Sequence, residues 1–135
     1  EHARVFITSE SPLPEDLEPY RIRIPPEEIH HVMAYATLLY GESATMASEC
    51  AVLGTPAIYL DNVGRGYTDE QEETYGLVFN FRESPEDQQR SIEKGVEILT
   101  NPGVKAEWQE KQARLLKDKV DVTQWLVDFV EKEYR

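Results

Sequence analysis

The spacing of apolar positions changes several times along the chain, and each change marks an element. Val5-Phe6-Ile7-Thr8 is a short β-branched and aromatic run closed by the Ser/Pro loop "SESPLPED", which predicts a first strand. Tyr20-Arg21-Ile22-Arg23-Ile24 alternates apolar with charged residues and stops at Pro25-Pro26, predicting a second. From Pro26 or Glu27 the period becomes helical, with Ile29, Val32, Met33 and Ala36 on one side and acids in the first turn. Leu38-Leu39-Tyr40 predicts a third strand ending at Gly41. A helix from about Thr45 to Leu53 follows, stopped by Gly54 as a C-cap glycine stops one. Ala57-Ile58-Tyr59-Leu60 and Leu77-Val78-Phe79-Asn80-Phe81 predict strands four and five. Between them lies "DNVGRGYTDEQEE", long for a connection and polar, with room for a helical turn near its end; loops of this kind often carry function.

The remainder reads as helix. Ser84-Pro85-Glu86-Asp87 supplies a hydroxyl cap, a proline at the first position and acids in the first turn. Ile92, Val96 and Leu99 mark its expected buried face, and Asn101-Pro102-Gly103 ends it. Trp108, Leu115 and Leu116 line a second helix. Asp121 caps a third, with Gln124 three residues on and Leu126, Phe129 and Val130 on one face.

Short strands alternating with helices specify an α/β protein, built of right-handed β-α-β units around a parallel sheet. The expectation is a Rossmann-like parallel sheet of about five strands with a helical C-terminal tail, in a single domain of 135 residues. Ligands of such sheets sit beyond the carboxyl ends of the strands. The junction Tyr40-Gly41-Glu42-Ser43-Ala44-Thr45 is one of these ends.

The chemistry of that junction follows from a helix start. Several first-turn N–H groups lack intrahelical acceptors, and the macrodipole adds about half a positive charge there. Gly41 and Ala44 leave the approach open, while Ser43 and Thr45 carry hydroxyls that can either cap the helix or bind an anion. Glu49 is the one acid within the helix body. At 100° per residue it falls about 300° from Met46, between Val52 and Leu53, so it interrupts apolar neighbours. Helical side chains lean toward the N-terminus, which would bring its carboxylate back toward a bound phosphate, where it could accept hydrogen bonds from ribose hydroxyls. The alternative is a surface glutamate on an amphipathic helix.

The segment "ESATMASECAVLGTPAI" resembles the donor-site segment in the C-terminal domain of GT-B glycosyltransferases and non-hydrolysing UDP-N-acetylglucosamine 2-epimerases. The longer stretch "YRIRIPPEEIHHVMAYATLLYGESATMASECAVLGTPAIYLD" resembles the DUF354 family of archaeal and bacterial proteins, related to those enzymes. The resemblance implies diphosphate binding at Ser43, Ala44 and Thr45, ribose binding at Glu49, and a base held near Ile24-Pro25 through backbone groups. It also implies that the 61–73 loop borders the donor site, where Arg65 could reach a phosphate. The epimerases carry paired glycines where Ala44-Thr45 stand.

On this resemblance the chain is a partial C-terminal domain of a GT-B fold. It enters at what corresponds to the second strand of that domain, and the N-terminal domain would be its partner. The implied ligand is a nucleoside diphosphate or nucleotide-sugar, a UDP-sugar foremost, serving glycosyl transfer or epimerisation in a full-length protein. The fragment itself is expected to be inactive. A non-catalytic binding or scaffold module that keeps the fold is the alternative. The helix Asp121–Glu133 resembles the terminal GT-B helix, which leaves Trp125 and Phe129 either facing a partner or in ordinary core packing. A sheet short of a strand exposes edges, so self-association is expected.

Composition narrows the remaining options. A net charge of −12 argues against nucleic-acid binding, yet permits a small phosphorylated ligand held by backbone amides. No apolar run is long enough to span a membrane, and the single Cys50 fits a reducing compartment, so the expected location is cytoplasmic. No cofactor is implied. His30 and His31 point about 100° apart on a helix and make poor co-ligands, so no metal is expected, and Glu27–His31 reads as an i,i+4 pair. Cys50, mid-helix among apolar residues, reads as an inert thiol. The acidic run 69–73 reads as a solvated face or a helix start.

Overall fold

The computed structural model describes residues 3–134. Among them, regular strand pairing is confined to three parallel strands, β1 (Leu39–Gly41), β2 (Ala57–Leu60) and β3 (Val78–Phe81), in that order across the sheet. Tyr40, Ile58 and Phe79 stand in register and face one side; Leu39, Ala57 and Val78 face the other. Successive strands are joined by α2 (Ala44–Leu53) and α3 (Gly66–Glu73), which pack against each other on one face. The helix α4 (Pro85–Thr100) covers the opposite face. The α/β class and parallel sheet expected from the sequence are therefore present, and the helical C-terminal region is present with them.

The count of about five strands is not reproduced. The 3–8 and 20–24 segments meet in a single parallel bridge, Ile7 to Arg21, held by Ile7 N–H to the Tyr20 carbonyl (2.8 Å) and Ile22 N–H to the Ile7 carbonyl (3.0 Å). A strand is regular only where its neighbour continues the ladder. Here Glu18–Tyr20 turns as a 3-10 helix immediately before the bridge, and Pro25-Pro26 ends the extended run four residues after it. The next helix begins as a 3-10 turn at Pro26–Glu28 and becomes α1 at Ile29–Tyr35, with Met33 buried.

Caps fall where the sequence put them. Ser43 accepts from the Met46 amide, Ser84 from Asp87 and Asp121 from Gln124. Gly54 ends α2 at φ 77°, a left-handed conformation that disfavours any side chain.

The buried face of α4 is not the predicted one. Ser91, Gly95 and Ile98 point inward, whereas Ile92 and Val96 are exposed and Leu99 is half-buried. The cause is close packing. A β-carbon on Gly95 would sit 3.5 Å from Leu38 Cδ2 and 3.6 Å from Ile58 Cδ1, so the helix lies near the sheet through its small residues. Ser91 Oγ meets the Tyr40 hydroxyl at 2.7 Å in the same interface.

The helix α5 (Val104–Asp118) closes the sheet's amino-terminal edge. Trp108 donates from Nε1 to the Leu77 carbonyl (3.2 Å), Gln112 to the Val52 carbonyl and Arg114 to the Thr74 carbonyl. The last helix, α6 (Val122–Glu133), buries none of its residues.

Candidate functional site

Opposite α5, the carboxyl ends of the three strands open into the loops that begin α2, α3 and α4. The loop after β2 is tied to the loop after β3: Asn62 donates to Glu83 Oε2 (2.6 Å), and the Glu83 amide donates to Asn62 Oδ1 (3.1 Å). Asp61 anchors the β2 end. Its carboxylate accepts from the Val63 amide and from the Tyr59 hydroxyl (2.7 Å), and these two bonds hold its pKa below the usual value. Burial, with the neighbouring carboxylate, pushes the Tyr59 phenol up to about 12, so it remains a proton donor at neutral pH.

The loop after β1 is the open one. Ser43 sits in extended conformation with its hydroxyl accepting from Met46 N–H at 3.3 Å. That satisfies one first-turn donor and leaves the amides of Ala44 and Thr45 without intrahelical acceptors, as at any helix start. Capping and anion binding are thus compatible here: the Ser43 oxygen serves the third amide and leaves the first two. Ala44 is half-buried and Thr45 exposed, so the approach is not covered.

Glu49 lies on the same helix, about 7.5 Å further along its axis. The buried side of α2 consists of Ala47, Cys50 and Ala51, while Val52, beside Glu49 on the helix, is 47% exposed. Small residues again carry the packing, and Glu49 stands at the rim. Its Oε1 lies 3.3 Å from His30 Nε2 of α1, so the acid joins two helices whose starts both belong to this end of the sheet. Sequence reasoning missed His30 and paired Glu27 with His31 instead; among the described residues no ion pair joins those two. The available signal was a lone acid on an apolar helix, which asks for a partner from a neighbouring element.

The other two candidates do not join the cluster in this conformation. Ile24 is half-buried at the end of the extended segment preceding Pro25 and the start of α1. Arg65 turns onto its own loop, donating to the Val63 and Gly64 carbonyls, with its guanidinium 3.8 Å from Asp61. The geometry therefore brings together Ser43, Ala44 and Thr45, sets Glu49 beside His30, and leaves Arg65 bonded within its own loop.

Cys50 is fully buried, and burial raises its thiol to about 12, so it stays protonated and unreactive at neutral pH. Among the described residues no group of three or more His, Cys, Asp or Glu side chains is arranged to hold a metal ion. No described helix is long and apolar enough to cross a membrane. The acidic run belongs mainly to α3, with Asp69, Glu70 and Glu73 in solvent. Glu72 instead turns inward and accepts from the Asn80 side chain at 2.7 Å. Comparison of this chain with protein-family models, curated proteins and solved structures yields no match.

Proposed function

We propose that this chain is the donor-binding portion of a GT-B-like protein and recognises a nucleoside diphosphate, alone or as the leaving part of a nucleotide-sugar. The observation that carries the reading is the start of α2. Two amides without intrahelical acceptors open at the carboxyl end of a parallel sheet, and the helix's one acid stands further along the same helix. The amides of Ala44 and Thr45 and the hydroxyls of Ser43 and Thr45 would meet the diphosphate. Glu49 would exchange its contact with His30 for the ribose hydroxyls, and Arg65 would have to swing off its loop to add a cation. UDP is the first nucleotide to test, on the resemblance of residues 42–58 to the donor segment of the epimerases. Glycosyl transfer or epimerisation would require groups from a second domain facing this edge.

Titration with UDP, UDP-sugars, ADP and GDP, read as the shift in melting temperature, tests the reading. A ligand at a hundred times its Kd stabilises the fold by about 2.7 kcal/mol, a rise of several degrees for a domain of this size. Glu49→Ala is expected to abolish the shift at the same ligand concentration. Its own cost should stay below about 1 kcal/mol, because the His30 pair is solvent-exposed. No shift with any nucleotide would remove the reading and leave a non-catalytic module on the same fold.

A further inference from the structure

We infer that two copies of this chain associate by each seating its α6 in an apolar trough on the other. The trough lies between residues 3–7, residues 17–23 and α4, the first two segments being joined by the Ile7–Arg21 bridge. Its apolar lining includes Val5 and Phe6, both more than half exposed, together with Leu17, Tyr20, Val96 and Leu99. Val96 and Leu99 belong to the α4 stripe that sequence periodicity assigns to a core. In this fold Gly95, Ser91 and Ile98 take the sheet, which leaves Val96 exposed and Leu99 half-buried. A helix-spaced apolar stripe with nothing over it is a surface for another helix.

The same chain carries a helix of matching character. Val122, Trp125, Leu126, Phe129 and Val130 recur at i, i+3, i+4, i+7 and i+8 along α6, and all five are at least 43% exposed. Trp125 and Phe129 stack with ring centres 5.4 Å apart and planes 12° apart, forming one flat aromatic ridge. Ridges of this shape pack into grooves between other elements.

Charge selects the pairing. The chain has 26 acids against 14 lysines and arginines, yet the charged residues lining the trough are Arg4, Arg21 and Arg23; Glu18 behind them pairs with both Arg21 (2.9 Å) and Arg23 (3.2 Å), so these four residues still leave the trough edge positive. Residues 121–133 hold four acids and one lysine. Two α6 helices facing each other would bring like charge together, whereas α6 against the arginine-edged trough brings opposite charge. A reciprocal pair makes the contact twice and closes on itself. This inference does not depend on nucleotide binding.

Sedimentation of the full chain from micromolar to several hundred micromolar tests it. A concentration-dependent dimer is expected, weakened at least tenfold by Trp125→Glu or Phe129→Glu. Since α6 has no buried residue, these variants should keep the wild-type circular dichroism. Val96→Glu and Phe6→Glu should weaken the dimer to the same degree, as should Arg23→Glu, which reverses an exposed rim charge and breaks its surface pair with Glu18 while leaving the core untouched. Mixing a helix variant with a trough variant should restore a heterodimer through the one intact contact. A monomer throughout, a dimer indifferent to the trough substitutions, or a mixture that stays monomeric would each overturn the inference.

Discussion

Trp108→Ala is expected to cost about 3–5 kcal/mol of folding stability, the largest single effect anticipated for this chain. Trp108 is 3% exposed, its ring lies 6.1 Å from Phe79 at 54°, and its Nε1 satisfies the carbonyl of the buried residue Leu77. Truncation empties the space beneath the sheet and leaves that carbonyl without its donor. Trp108→Phe separates the two losses, keeping most of the packing while forfeiting the hydrogen bond, and should cost about 1–3 kcal/mol. Against a total of about 5–15 kcal/mol for a domain, the alanine variant should melt many degrees lower or fail to fold at 37 °C. Urea denaturation followed by circular dichroism measures both. Trp125→Ala provides the contrast: at dilute concentration it should change stability by less than about 0.5 kcal/mol, because that ring lies on the open face of α6. Equal costs at the two tryptophans would contradict the placement of α5 and α6.

Thr45→Glu should move stability and ligand affinity in opposite directions. An acid in the first turn of a helix interacts favourably with the macrodipole, by about 0.3–1 kcal/mol. Thr45 is exposed, so the substitution displaces no core atom and the melting temperature should hold or rise. The same carboxylate would occupy the amide cradle and repel a diphosphate. The affinity for UDP should therefore fall at least tenfold, while Thr45→Ser, which keeps the hydroxyl, should bind nearly as the wild type does. Titration calorimetry paired with melting curves reads both quantities. Undiminished binding by Thr45→Glu would place the phosphates elsewhere.

Much of the site-bearing half of the fold was legible in the sequence because its signals are local. Ser84 and Asp121 cap the helices they were expected to cap, Ser43 takes the capping role that was one of its two options, and Gly54 ends α2 as predicted. The alternation of β2, α3 and β3 followed from period changes, and only the length of α3 within the 61–73 loop exceeded the expected single turn. What escaped depends on small residues and on neighbours. Periodicity weights large apolar side chains, so it placed Ile92, Val96 and Leu99 inside α4. The helices instead approach through Ser91 and Gly95, and through Ala47, Cys50 and Ala51. The 5–8 and 20–24 runs have strand-like composition, yet a strand needs a continuing partner, and they meet only at Ile7 and Arg21. The Glu49–His30 pair spans nineteen positions between two helices, a distance no local pattern encodes.

The part that α6 plays shows the same division. Its amphipathic pattern was evident, but the sequence left open whether Trp125 and Phe129 face a core or a partner. In the folded chain both rings are exposed, so neither lies in a core formed by the described residues. A face of this size normally has an occupant, and the arginine-edged trough supplies one from a second copy.

The central claim, that the start of α2 receives a diphosphate, is tested most directly by amide chemical shifts in a uniformly 15N-labelled sample titrated with UDP. The account predicts the largest and saturable perturbations at Ala44 and Thr45, accompanied by Glu49 and by His30 as its contact with the acid is exchanged. Inorganic pyrophosphate should reproduce the Ala44 and Thr45 shifts while leaving Glu49 in place. Perturbations confined to other segments, or none at millimolar UDP, would contradict it.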